Sequence, residues 1–100
     1  GGIMKENYKW KYQPYQGTLT KEERIVGSVT LIPIQPKALE IKHTYVDPTL
    51  RGQGIGKQLL VSLLEEESLK EMLFQPTCSY AVTFFEKHPE YQKRLYKGEE

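Results

Sequence analysis

Arg51-Gly52-Gln53-Gly54-Ile55-Gly56-Lys57-Gln58-Leu59-Leu60 is the run of sequence on which the architecture turns. Its first six residues set glycines at three alternate positions, which gives access to positive φ and lets main-chain N–H groups approach a ligand closely. Its second half opens a different pattern. Ile55, Leu59, Leu60, Leu63 and Leu64 recur at helical spacing and predict an amphipathic helix running to about Lys70. The first turn of such a helix carries N–H groups with no intrahelical acceptor, and its dipole favours negative charge beside them. Lys57 adds a full positive charge at the mouth. A glycine turn feeding a helix in this way is an anion-binding arrangement, in preference to a helix that merely begins after a flexible turn.

Upstream of the turn, Ala38 to Val46 alternates as a strand and Asp47-Pro48 ends it. Leu39, Ile41, His43 and Tyr45 are expected on one face of that strand, with Glu40, Lys42, Thr44 and Val46 on the other. Arg24 to Ile34 is rich in β-branched residues and predicts a second strand, punctuated by Pro33 and Pro36. Tyr8, Trp10 and Tyr12 alternate with Lys9 and Lys11 as in a half-buried strand, closed by a turn at Pro14 and Gly17. Downstream, Met72 to Gln75 reads as a short strand before Pro76. Ser79 to Lys87 places Tyr80, Ala81, Phe84 and Phe85 on one helix face, and Pro89 precedes a last helical turn or two in Glu90 to Tyr96. Three strands, a helix, a strand and a helix make an α/β fold: a mixed sheet with antiparallel N-terminal strands, a long crossover helix, a short parallel strand and a C-terminal helix. The Glu65-Glu66-Glu67 run is expected to be a solvated helix face, and the Tyr8, Trp10, Tyr12 stripe to be core.

Composition narrows the functions open to such a chain. One hundred residues are one domain's worth, read as residues 4–100, with Gly1, Gly2 and Ile3 ahead of Met4 taken as leftover expression sequence. Lys plus Arg at 14 against Asp plus Glu at 13 gives a net charge of +1, which argues against a general nucleic-acid or membrane-surface binder. The aromatic stripe with Lys9 and Lys11 resembles a nucleic-acid stacking surface only superficially for the same reason. A single cysteine, Cys78, excludes an internal disulfide or a multi-cysteine zinc site. No apolar run approaches the length of a membrane span, and a cytoplasmic location is the default expectation.

Two familiar phosphate motifs fail on spacing. A Walker loop requires glycine five residues before Gly56 and a hydroxyl residue after the lysine, where Arg51 and Gln58 stand. A dinucleotide fingerprint requires a third glycine where Lys57 or Leu59 stands, and no acidic ribose partner follows. Arg51-x-x-Gly54-x-Gly56, preceded by Val46-Asp47-Pro48 and followed by Leu59-Leu60, instead resembles the pyrophosphate-binding motif of the GNAT superfamily of N-acetyltransferases. The likeness extends from about Ile25 to Tyr91. His43-Thr44-Tyr45-Val46, Pro76-Thr77-Cys78-Ser79-Tyr80-Ala81 and Glu86-Lys87-His88-Pro89-Glu90-Tyr91 are similar to a minimal, cysteine-containing branch, which lacks the early helices that build a substrate pocket in larger members.

The resemblance implies a protein that binds acetyl-coenzyme A and moves acetyl to an amine, carried by a small molecule or a protein, or to another small nucleophile. It implies that Arg51, Gly52, Gln53, Gly54, Ile55, Gly56 and Lys57 cradle the pyrophosphate, and that the backbone of Tyr45 and Val46 meets the pantetheine arm. It also implies a departure. The tyrosine with which many relatives protonate the departing thiolate is replaced in Phe84-Phe85 by a residue that cannot donate. Cys78, at the start of a helix whose dipole favours a thiolate, is the candidate proton donor or acetyl acceptor. Its alternative is a small buried hydrophobe. His43 is the candidate base or activator of Cys78, against a role as a satisfied core histidine. Glu40 lies eleven positions before Arg51, near where histone-modifying relatives keep a catalytic glutamate, and Tyr80 is a substitute acid one turn early; both are weaker candidates. A non-catalytic acyl-coenzyme A binding module is the competing class, and a partner completing the acceptor site is compatible with so short a chain.

Overall fold

A computed structural model of the chain describes residues 7–98, so the three N-terminal residues read as expression sequence lie outside the described part. Its elements are β1 (Lys9–Gln13), β2 (Gln16–Lys21), β3 (Arg24–Gln35), β4 (Ala38–Val46), α1 (Ile55–Glu65), β5 (Leu73–Pro76) and α2 (Ser79–Lys87). The strands form one sheet in the order β1-β2-β3-β4-β5, antiparallel as far as β4 and parallel between β4 and β5. This is the expected mixed α/β sheet with a crossover helix.

α1 buries Ile55, Leu59, Leu60, Leu63 and Leu64, the stripe its spacing predicts. These meet Leu19, Val26, Val29, Leu31, Leu39 and Ile41 from the sheet in one core cluster. α2 adds Ala81, Phe84 and Phe85, the two phenylalanine rings meeting edge to face at 5.5 Å between centroids. Tyr8, Trp10 and Tyr12 pack against this cluster as expected of the aromatic stripe.

One strand is new. β2 carries little strand signal in its sequence, because Gln16–Lys21 holds a single large apolar residue, Leu19, which is wholly buried. Gly17 belongs to this strand instead of only closing a turn. Its glycine is required because a Cβ there would stand 2.1 Å from the Trp10 ring on β1.

The faces of β4 also differ from the expected alternation. Ile41 pairs with Leu31 and Thr44 with Val29, so residues three apart on β4 face residues two apart on β3. The extra residue is a β-bulge at Lys42–His43. It keeps Leu39, Ile41, Thr44 and Val46 on the α1 side and turns His43 and Tyr45 to the opposite, exposed face. A strict two-residue period had put His43 and Tyr45 with Leu39 and Ile41.

α1 ends at Glu65, short of the expected Lys70, and a 3₁₀ turn spans Glu67–Leu69. Glu66 is not part of a solvated helix face. It takes an extended conformation, and its carboxylate accepts from the Trp10 indole N–H at 2.8 Å and from the Ser68 hydroxyl at 2.8 Å. A second anchor closes this end of the molecule. The Arg94 guanidinium donates to the carbonyls of Leu64, Leu69 and Met72 at 3.0, 2.9 and 3.2 Å and lies over the Phe74 ring.

Candidate functional site

β5 pairs with β4 only from Ala38 to Ile41. The Ile41 carbonyl then accepts from both Thr77 N and Cys78 N, at 3.1 and 3.3 Å, where the chain leaves the sheet to begin α2. Beyond that point the two strands diverge, and residues 43–46 of β4 keep β3 as their strand partner. The opening between them is a cleft of about 870 Å³ lined by His43, Thr44, Val46, Leu50, Arg51, Gly52, Gly54, Ile55, Gly56, Cys78, Ser79 and Tyr80. Residues from three distant segments, singled out separately in the sequence, therefore share one hollow.

The floor at one end is the glycine turn. Gly52 and Gly54 take positive φ of 83° and 82°, which a residue with a Cβ adopts only at a cost of about 1–2 kcal/mol. A Cβ built on either meets nothing within 4 Å, so both backbones border open space. The first bond inside the helix runs from Gln58 N to Gly54 O at 3.0 Å. The N–H groups of Ile55, Gly56 and Lys57 precede it and, by helix geometry, face the turn. Arg51 and Lys57 are exposed beside them, and Gln53 is exposed on the same turn; of these three only Arg51 lines the cleft. The turn thus offers unhindered N–H donors, the end of a helix dipole and two cations, which fits a pyrophosphate.

Asp47 does more than end β4: it holds the approach to this turn. Its carboxylate pairs with Arg24 of β3 and accepts from the N–H and the hydroxyl of Thr49, both at 2.8 Å, while its own N–H donates to Val26 O. The bond from Arg24, then those from Thr49, hold the carboxyl at about 2, well below its ordinary range. The signal was present as Asp-Pro-Thr, an acidic cap followed by proline at the first position of a short helical turn.

Gly56 serves a neighbour as well. A Cβ there would come within 2.7 Å of Cζ and Oη of Tyr80, whose ring therefore rests on the turn. Burial raises the Tyr80 phenol above its ordinary value, so it keeps its proton.

At the other end, Cys78 takes the position before the first residue of α2 in extended conformation, and its carbonyl accepts the first helical bond from Val82 N at 3.0 Å. Its thiol, half-buried, lies 3.8 Å from Thr44 Oγ1. Simple alternation assigns Thr44 to the face of Glu40 and Lys42, and the bulge is what brings it here. His43 lines the same cleft from the opposite side of β4. Glu40 does not line it; its carboxylate accepts from the Thr77 hydroxyl at 2.5 Å. Tyr45 is exposed and outside the lining, which leaves only its backbone near the cleft edge. Phe84 and Phe85 are buried in the core, and Phe84 stacks on Tyr91. Among the described residues no helix is long and apolar enough to cross a membrane.

Comparison with known proteins places this arrangement. The family model of the GCN5-related N-acetyl-transferases matches residues 15–95. A GCN5-like protein of Staphylococcus aureus has the same fold at a TM-score of 0.71 and 26% identity, covering 96% of this chain and 94% of that one. The diaminobutyrate acetyltransferase of Paenibacillus lautus, solved with L-2,4-diaminobutyric acid and coenzyme A, is similar at a TM-score of 0.64 and 21% identity, over 78% of this chain and 51% of that one. An uncharacterised N-acetyltransferase of Bacillus methanolicus is 34% identical over 53 residues, which are 53% of this chain and 44% of that relative. The matched segment is thus less than half the length of this curated relative.

Proposed function

The chain belongs to the GCN5-related N-acetyltransferase family, and from that premise we propose that it transfers acetyl from acetyl-coenzyme A to an amine or another small nucleophile. One observation carries the reading: a single cleft joins the glycine turn to Cys78 along the diverging edge of β4. The P. lautus neighbour, solved with coenzyme A, supports the choice of cofactor. Arg51, Gly52, Gln53, Gly54, Ile55, Gly56 and Lys57 hold the pyrophosphate, through N–H groups where the backbone is open and through charge at Arg51 and Lys57. The backbone of Tyr45 and Val46 steadies the pantetheine arm. When bound, the coenzyme supplies an activated acetyl thioester.

The two catalytic candidates stand on different sides of one strand. His43 faces the open side of the sheet, and Cys78 meets Thr44 on the α1 side. That arrangement supports direct transfer over activation of Cys78 by His43. His43 accepts the proton lost by the attacking amine, and the Cys78 thiol gives its proton to the released coenzyme A thiolate. Glu40 is engaged by Thr77, and Tyr80 rests on the turn, so each is less suited to these steps. The open face beside His43 leaves room for a small-molecule or protein amine, or for a partner that completes the acceptor site.

A coenzyme A titration followed by NMR, with turnover measured across a panel of amines, tests the proposal. We expect the amides of residues 52–57 to shift and Cys78→Ala to lose most of its turnover. Binding without turnover on any amine, unchanged by Cys78→Ala, would make the protein a binding module. An acetylated Cys78 seen by intact mass would instead favour the covalent route.

A further inference from the structure

Resting on that role for Cys78, we infer that Thr44 is a positioning residue of the site, its hydroxyl holding the Cys78 thiol in place at the start of α2. The contact is specific in origin. Without the bulge at Lys42–His43, continued alternation from Ile41 would put His43 on the α1 side and Thr44 on the exposed face. With it, Thr44 Oγ1 comes 3.8 Å from Cys78 Sγ, within reach of a hydrogen bond to the larger sulfur atom. Both side chains are half-buried and both line the cleft.

The chemistry of the pair has a direction. With the thiol neutral, either group can donate. Once Cys78 has given up its proton, only the hydroxyl can donate, and it does so to an anion, so the contact strengthens as the thiol acts as an acid. The Ile41 carbonyl fixes the Cys78 backbone through its N–H, and the Thr44 hydroxyl restrains the side chain.

Because Cys78 is the chain's single cysteine, its reactivity can be read without interference. The test is the rate of alkylation by iodoacetamide, followed by intact mass near neutral pH, in the wild type, Thr44→Val and Thr44→Ser. Valine replaces the hydroxyl by a methyl of similar shape, and serine keeps the hydroxyl. Loss of a hydrogen bond of this kind should slow alkylation of Thr44→Val about three- to tenfold, with Thr44→Ser close to the wild type and thermal unfolding little changed in either. A wild-type rate in Thr44→Val overturns the inference. So does an equal loss in Thr44→Ser, which keeps the hydroxyl and would show that the effect does not follow it. Acetyl transfer by Cys78→Ala examines the underlying reading separately: full activity there removes Cys78 from the reaction, whereas the alkylation rates decide the Thr44 contact with no coenzyme present.

Discussion

Gly56→Ala sets two effects of opposite sign against each other, and the structure says which prevails. Gly56 is the second residue of α1, where alanine would ordinarily gain about 0.5–1 kcal/mol over glycine. Here its Cβ would fall 2.7 Å from Cζ and Oη of Tyr80. Forcing an atom into such a contact costs about 1–3 kcal/mol. A cost of about 1.5 kcal/mol applies, below the top of that range, because Tyr80 is 42% exposed and its ring can swing outward. The net expectation is a loss of about 0.5–1 kcal/mol, or a melting temperature lower by about 2–8 °C. Removing the ring should reverse the sign: in a Tyr80→Ala background, Gly56→Ala should stabilise by about 0.5–1 kcal/mol. Urea unfolding of the four proteins closes the cycle, with an expected coupling of about 1–2 kcal/mol. If Gly56→Ala stabilises the wild type by the same increment as it does the Tyr80→Ala protein, the packing of Tyr80 on the turn is refuted.

Two further perturbations address the scaffold around the cleft. Asp47 has its carboxyl lowered from 3.8 to about 2 in the folded chain, so its contribution to stability is present above the ordinary value and is lost as pH falls toward about 2. Asp47→Asn should flatten the acid limb of a melting-temperature profile; a limb of unchanged steepness would place the linkage elsewhere. Arg94→Met strands three carbonyls and should cost about 2–3 kcal/mol in urea unfolding, while Arg94→Lys should recover only part, since an ammonium cannot span the same fork of acceptors. A lysine variant as stable as the wild type would show that the multiple contacts contribute little.

Local pattern made the strand–turn–helix unit legible, because each part carries its own signal: β-branched alternation, glycines, then leucines at helical spacing. What escaped was set by partners distant in sequence. Gln16–Lys21 becomes a strand because Gly17 receives the Trp10 ring and Leu19 enters the core, and neither fact is local to the segment. Glu66 leaves the helix in favour of a contact with Trp10, 56 residues away. In the candidate site, the glycine turn is legible from residue type and spacing, and Cys78 and His43 become candidates only with the family resemblance beside their positions. Thr44 and Asp47 were not singled out, since their roles arise from a shifted register and from a cap tied to β3.

The bulge in β4 makes two half-strands that are out of phase with each other. The first half, through Ile41, is bound on both sides by β3 and β5, and its side chains answer to the core. The second half borders the cleft, and its side chains answer to chemistry. Substitutions can accumulate in one half without redirecting the other, but a one-residue deletion at Lys42 would exchange Thr44 and His43 between sides of the sheet while leaving Leu39 and Ile41 where they are. An ungapped comparison with a relative whose strand runs straight through this point would match every residue of the second half to the wrong face.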